Sequence, residues 1–186
     1  HSFGYKAGWL AALIKGAAIF PMARFDRSAL MAAIEQHRIT MLPGAPSLYD
    51  MILNAEDRDQ YDLSSLRLGV TGAASVPVQL VKDMSEVLGF ETVVTAYGLT
   101  ESTGVVTICR PDDDPETIAN TSGRVIDGGE LRCVDPESGK ERPRGEAGEV
   151  WVRGYNVMQG YFDMPDATAE AITDDGWLRT GDIGVM

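Results

Sequence analysis

The run Thr95-Ala96-Tyr97-Gly98-Leu99-Thr100-Glu101-Ser102 gathers several kinds of chemistry into one short stretch. The ring of Tyr97 can stack on a base. Gly98 lets a ligand approach the backbone. The Thr100 hydroxyl can donate to a phosphate. The Glu101 carboxylate can hold Mg²⁺, a hard cation that prefers oxygen ligands. The run extends a stretch, Thr92 to Ala96, that reads as a strand, and open α/β sheets bind their ligands beyond the carboxyl ends of their strands. On spacing alone, a turn carrying a solvated glutamate accounts for the same residues equally well.

The elements that would position this run follow from apolar periodicity and its punctuation. Tyr5 to about Gly16 is small and apolar and predicts a packed helix; Ala17 to Phe20 predicts a short buried strand. Asp26 is a good N-cap for a helix carrying Leu30, Ile34 and His37 on one face. Ile39 to Leu42 reads as a strand. Pro43-Gly44-Ala45-Pro46 is a turn, with Pro46 in the first turn of a helix whose apolar face is Leu48, Met51 and Ile52. Leu66 to Thr71 is a strand, Pro77 to Leu88 a helix ended by Gly89, and Thr92 to Ala96 the next strand. This alternation predicts an α/β fold, a mostly parallel sheet with flanking helices, over residues 1–108. Residues 109–186 have a different texture. Pro111 to Pro115 is a polar connection, Glu130 to Val134 and Glu149 to Arg153 read as strands around the turn Asp135 to Gly139, and a late helix runs from Ala167 to Ile172. Trp151 lies between Val150 and Val152, as in a strand buried on both faces. This half reads as a small β-barrel-like subdomain.

Composition narrows the function classes. The chain has 186 residues, 44% hydrophobic and 24% charged, which is ordinary for a folded protein with one full-sized core. Its formal net charge of −12 would repel a phosphate backbone, so no nucleic-acid partner is expected. Cys109 and Cys133 make neither a disulfide framework nor a zinc site and read as buried structural thiols of a cytoplasmic protein. No apolar run reaches the ~20 residues of a membrane span, and no signal peptide is visible.

Tyr97-Gly98-Leu99-Thr100-Glu101 resembles the Tyr-Gly-x-Thr-Glu motif of the adenylate-forming superfamily: acyl-CoA synthetases, adenylation domains of peptide synthetases, and luciferases. Other segments resemble that family in its order. Val70-Thr71-Gly72-Ala73-Ala74 is similar to the Gly-Gly-Ala segment whose backbone lies against the adenine, with Thr71 in place of the first glycine. Trp177-Leu178-Arg179-Thr180-Gly181-Asp182 is similar to Trp-x-x-Thr-Gly-Asp, whose aspartate takes the ribose hydroxyls. Gly145 to Gly154, then Gly160-Tyr161 and Thr168, resemble a strand and turn with a mainly structural role. Ser122 to Gly128 resembles a loop near the acyl site, without its usual proline. His1-Ser2-Phe3-Gly4 resembles a segment beside the carboxylate. His37 matches none of these and reads as structural.

The resemblance implies an AMP-forming acid-thiol ligase, an acyl-CoA synthetase using ATP, Mg²⁺ and CoA, with a small-molecule carboxylic acid as substrate. It implies catalytic roles for Thr100 and Glu101, the latter as metal ligand. Nucleotide contacts fall to Gly72, Ala73, Ala74, Ala96, Tyr97, Gly98, Leu99, Thr100 and Asp182. The acyl pocket falls to His1, Gly98, Gly104 and Val105, with Ala73 and Ala96 beside them; small residues there suit a bulky or long acyl group. The texture most resembles actinobacterial ligases acting on fatty acids or on propanoate side chains of degraded steroid rings. The chain reads as an interior part of the large N-terminal domain. The family's phosphate loop and C-terminal domain do not occur in it, so alone it is expected to bind AMP weakly without turnover. An amino-acid adenylation domain is the nearest rival, disfavoured by the lack of an acidic residue in His1 to Gly4. A non-catalytic nucleotide-binding piece is the other, and its unpaired sheet edges would favour a homodimer.

Overall fold

The computed structural model describes residues 3–72 and 74–186, so His1 and Ala73, both assigned above to ligand pockets, lie outside the described residues. The chain divides into two compact units: 1–97 with 108–124, and 98–107 with 125–186.

The first unit begins with a π-helical stretch, Gly4–Leu10, that continues into α1 (Ala11–Lys15) and stops at Gly16 in the left-handed region. The strand expected at Ala17 to Phe20 does not form. Those residues are exposed, Ile19 and Phe20 among them, because no sheet partner reaches them; the Phe20 ring stacks instead on His37, 4.3 Å between centroids. The Asp26 side chain accepts from the Ala29 amide at 2.8 Å and caps α2 (Arg27–His37), which buries Leu30, Met31 and Ile34 but leaves His37 exposed. β1 (Met41–Pro43) leads to α3 (Pro46–Leu53), with Pro46 at its start as expected. The buried face of α3 is Pro46, Tyr49 and Ile52, and Met51 points outward. β2 (Leu68–Gly72), α4 (Val78–Glu86) and β3 (Thr92–Tyr97) follow. β1, β2 and β3 pair in parallel, Met41 opposite Leu68 and Leu68 opposite Thr92, which sets Gly72 opposite Ala96. Two short strands, β4 (Thr107–Ile108) and β5 (Arg124–Val125), complete a five-stranded sheet in sequential order. Between them α5 (Pro115–Asn120), capped by Asp114, follows directly on the polar connection expected at Pro111 to Pro115.

One apolar core fills this unit, from Leu30 and Ile34 through Tyr49, Leu66, Val81 and Met84 to Phe90, Cys109 and Ile118. Tyr49 is fully buried, and its hydroxyl lies 2.6 Å from the Leu42 carbonyl oxygen and 3.1 Å from that of Val70. Burial pushes its pKa well above the usual phenol value.

The second unit contains β6 (Gly129–Val134), β7 (Ala147–Gly154), α6 (Pro165–Ala171) and β8 (Leu178–Val185). The strands form an antiparallel sheet in the order β6-β7-β8. This corrects the barrel-like expectation: the sheet is open, since three strands fall far short of the ~8 that close around packed side chains. β7 is buried on both faces at Val150, Trp151 and Val152, as its unbroken apolar run implies. Cys109 and Cys133 are both free and buried. Among the described residues no helix is long and apolar enough to cross a membrane.

Tyr49→Phe should lower unfolding free energy by about 1–2 kcal/mol, because it strips a donor from buried strand carbonyls without opening a cavity. Urea denaturation measures this; an unchanged midpoint would mean that the hydroxyl contributes nothing to the core.

Candidate functional site

Each unit contributes part of the residues singled out by sequence. In the first unit, β2 ends at Gly72 with φ of +153°, a conformation side chains rarely adopt. A β-carbon there would stand 2.9 Å from the Ala96 carbonyl oxygen on β3. Glycine is thus demanded by the strand pairing itself. Thr71, which stands where the family has a further glycine, is fully buried, and its hydroxyl has no hydrogen-bond partner. Ala96 and Tyr97 are half-buried at the carboxyl end of β3, and Ala74 is exposed just beyond β2.

In the second unit the chain leaves β3 at Gly98 and turns at once through Thr100–Ser102, a single 3₁₀ turn. The turn is tied to itself. The Leu99 carbonyl accepts from the Gly104 amide at 2.8 Å, and the buried Ser102 hydroxyl both accepts from the Leu99 amide (2.9 Å) and donates to the Leu99 carbonyl (3.0 Å). Closure is so tight that a β-carbon at Gly98 would meet the Gly104 carbonyl oxygen at 2.5 Å and the Val105 α-carbon at 2.7 Å. Gly98 is therefore required by the return of its own loop, which fills the space a side chain would need.

The same turn presents Thr100, exposed, and Glu101, half-buried. Glu101 is held at two points: its carbonyl oxygen accepts from the Met158 amide at 2.7 Å, and its carboxylate Oε1 accepts from the Tyr161 hydroxyl at 2.9 Å. That bond to the carboxylate, with burial and the negative charge beside it, raises the Tyr161 pKa. Tyr161 is held in turn: its amide donates to the Thr168 hydroxyl at 2.9 Å, which donates to the Met164 carbonyl at 2.9 Å. Gly-Tyr and the later Thr are therefore one contact. Sequence reasoning did not find that Tyr161 reaches Glu101, nor did it find Asn156. No spacing rule signals a contact between residues so distant in the chain.

Asp182 sits in an irregularity of β8. Trp151 pairs with Arg179 and Glu149 with Ile183, so one residue of β7, Val150, faces Thr180, Gly181 and Asp182. The bulge is pinned by three bonds. The Thr180 hydroxyl donates to the Val150 carbonyl at 2.7 Å and accepts from the Asp182 amide at 3.1 Å; the Gly181 amide donates to Glu149 Oε1 at 3.0 Å. Glu149 Oε2 also accepts from the Trp151 indole at 2.8 Å. Bulges re-aim side chains, and this one turns Asp182 out of the strand's alternation, leaving it exposed.

Among the described residues no group of three or more His, Cys, Asp or Glu side chains is arranged to hold a metal ion. A single carboxylate such as Glu101 nonetheless fits Mg²⁺, which commonly takes one or two carboxylates and completes its shell with water and substrate phosphates.

Gly98→Ala should prevent closure of the Gly98 to Val105 loop. We expect a loss of about 1–3 kcal/mol from the overpacked contact, read by thermal denaturation, whereas Gly4→Ala, where nothing stands within 4 Å and the backbone is not left-handed, should cost less. Equal losses from the two would contradict the close-approach explanation.

Comparison with known proteins agrees with the motif reading. Across its full length the chain is 52% identical to 3-[(3aS,4S,7aS)-7a-methyl-1,5-dioxo-octahydro-1H-inden-4-yl]propanoyl:CoA ligase of Rhodococcus jostii (strain RHA1), and covers 34% of that protein. It is 39% identical over its full length to the putative acyl-CoA synthetase YngI of Bacillus subtilis (strain 168), again covering 34%. The chain thus spans about a third of the length of these curated relatives. Among solved structures, the N-terminal domain of FACL13 from Mycobacterium tuberculosis matches all of the chain with a TM-score of 0.86 at 27% identity, and the chain covers 46% of it. The AMP-binding enzyme family model matches residues 1–162, and the chain belongs to that family.

Proposed function

We propose that this chain is part of an ATP-dependent acyl-CoA ligase. A carboxylate is a poor electrophile at neutral pH. In the proposed reaction its oxygen attacks the α-phosphate of ATP, the bond to the β-phosphate bridge breaks, and pyrophosphate leaves. The CoA thiol then attacks the acyl carbon of the adenylate, the acyl–phosphate bond breaks, and AMP departs with the electron pair.

The roles follow the chemistry of each side chain. Tyr97 stacks on the adenine, whose further contacts fall to Gly72, Ala73, Ala74 and Ala96. Gly98 and Leu99 carry the chain past the nucleotide. Thr100 donates to a phosphate oxygen, stabilising charge that builds during attack. Glu101 holds Mg²⁺, which when bound neutralises phosphate charge. Asp182, set outward by its bulge, takes the two ribose hydroxyls through charge-assisted hydrogen bonds. His1, Gly98, Gly104 and Val105 border the acyl group. What supports this reading is above all the turn at Thr100 and Glu101. It is fixed by bonds on both sides, as a group must be if it is to stabilise charge without reorganising.

For the acid we favour a bulky, ring-bearing propanoic acid. The Rhodococcus relative named for such a substrate shares half of this sequence, and small residues flank the proposed acyl site. A cytoplasmic location and association into a homodimer belong to the same reading; exposed apolar groups such as Trp9, Leu13 and Phe25 are consistent with association.

Calorimetry of AMP with Mg²⁺ tests the nucleotide part. Asp182→Ala should weaken AMP binding about tenfold or more, as expected for losing hydrogen bonds to a charged group. Equal affinity in both would remove Asp182 from the site. In the whole protein, thioester formation from CoA and a ring-bearing propanoic acid should fall at least about a hundredfold in Glu101→Ala. No thioester from any carboxylic acid would overturn the ligase reading.

A further inference from the structure

The turn that presents Thr100 and Glu101 carries carbonyl groups that no strand pairs. Two of them, on Ser102 and Val105, accept from a single side chain: Asn156 Nδ2 donates to the Val105 carbonyl at 2.8 Å and to the Ser102 carbonyl at 3.3 Å. Asn156 is only 5% exposed. Its main-chain carbonyl oxygen accepts from the Thr103 hydroxyl at 2.7 Å. Thr103 is left-handed at φ of 58°, an uncommon state for a β-branched residue that must be held from outside. Two residues further on, the Met158 amide takes the Glu101 carbonyl, and Tyr161 then takes the Glu101 carboxylate. The stretch from Asn156 to Tyr161 thus grips the turn along its whole length.

We infer that Asn156 is a positioning residue for adenylation: its amide holds the Thr100–Glu101 turn in the one conformation in which hydroxyl and carboxylate face the phosphates. The inference rests on the ligase reading above. The bonds of the Asn156 side chain go to backbone carbonyls, so it acts through the backbone. Its chemistry is specific. The amide nitrogen has two protons and two carbonyl acceptors, so both are spent on the turn. Asp has the same shape and no donor, and would set a carboxylate oxygen against two carbonyl oxygens. The Oδ1 of Asn156 has no hydrogen-bond partner, so its side chain is bonded only through Nδ2. The amide is buried with one unmet acceptor, and the bonds it does make are those of its nitrogen to the turn.

The test uses the full-length protein, with Asn156→Asp and Asn156→Ala beside wild type. Three measurements are taken: amide hydrogen exchange without ligand, ATP–pyrophosphate exchange with a ring-bearing propanoic acid, and the melting temperature. Both variants should speed exchange at Leu99 to Val105 and leave β2 and β3 protected. The rate constant for pyrophosphate exchange should fall about a hundredfold in Asn156→Asp and less in Asn156→Ala, with the KM for the acid changed little. Unchanged exchange in the turn, or exchange that rises equally across both units, overturns the inference. So does a normal adenylation rate in a variant whose turn has loosened. A wild-type protein that gives no pyrophosphate exchange at all would instead count against the ligase reading, while the hydrogen-exchange result would still judge whether Asn156 holds the turn.

Discussion

A chain that leaves a buried strand and turns back within a few residues carries its carbonyl groups out of reach of any strand partner. Left unmet, each buried polar group costs roughly 1–3 kcal/mol, so the turn after β3 can exist only if something supplies donors. The Ser102 hydroxyl meets Leu99, the Gly104 amide meets Leu99 again, and the Asn156 amide meets Ser102 and Val105. Every feature of the proposed chemistry at Thr100 and Glu101 depends on that supply. The glycine at 98 has the same origin, since the returning chain occupies the volume a side chain would take.

Asp182 is displayed by a different device with the same logic. A regular strand would alternate Asp182 with its neighbours and give its amide to the ladder. The bulge opposite Val150 breaks that pairing, and the orphaned groups are met by side chains: Thr180 serves as both donor and acceptor, and Glu149 accepts from Gly181. In both places an acidic residue is presented by irregular backbone, and nearby hydroxyl, amide and carboxylate groups make the irregularity affordable. This explains why the Thr-Gly-Asp sequence has the composition it does. Thr satisfies the bulge, Gly accepts a left-handed backbone at φ of 74°, and Asp faces outward.

Much of this was legible in the residues because the signals were local. Asp26 as a cap, Pro46 at a helix start, Gly89 after α4 and the apolar runs of β2 and β3 all act within a few positions, and each appears where its chemistry predicts. The motifs at Tyr97 to Glu101 and at Trp177 to Asp182 were likewise visible as residue strings. What could not be read was partnership across the chain. Tyr161 lies sixty positions from Glu101, and Asn156 lies more than fifty from the carbonyls it serves. Their hydrogen bonds leave no periodicity. The failed strand at Ala17 to Phe20 has the complementary cause: an apolar run is also compatible with an exposed connection, and only a partner strand would have made it a strand.

The barrel-like expectation failed for a reason that bears on how a small sheet survives. A three-stranded sheet with two open edges is marginal by itself and needs one face covered. Here the covering is built from arginine and tryptophan instead of further strands. Register places Arg132, Trp151 and Arg179 in one row across β6, β7 and β8. The Arg132 guanidinium lies 4.9 Å from the Trp151 ring and 4.0 Å from that of Trp177; Arg153 lies 4.6 Å from Trp177, and Arg179 lies 5.2 Å from Trp151. Each such contact contributes roughly 0.5–1 kcal/mol at exposed sites. The guanidinium groups themselves lie over both indoles, which are under a tenth exposed. Arg153 is further held by two bonds to Glu130 on the neighbouring strand. The row therefore does for β7 what additional strands would do in a barrel. It leaves β8 at an edge, where the chain can depart from the ladder and form the bulge that sets Asp182 outward.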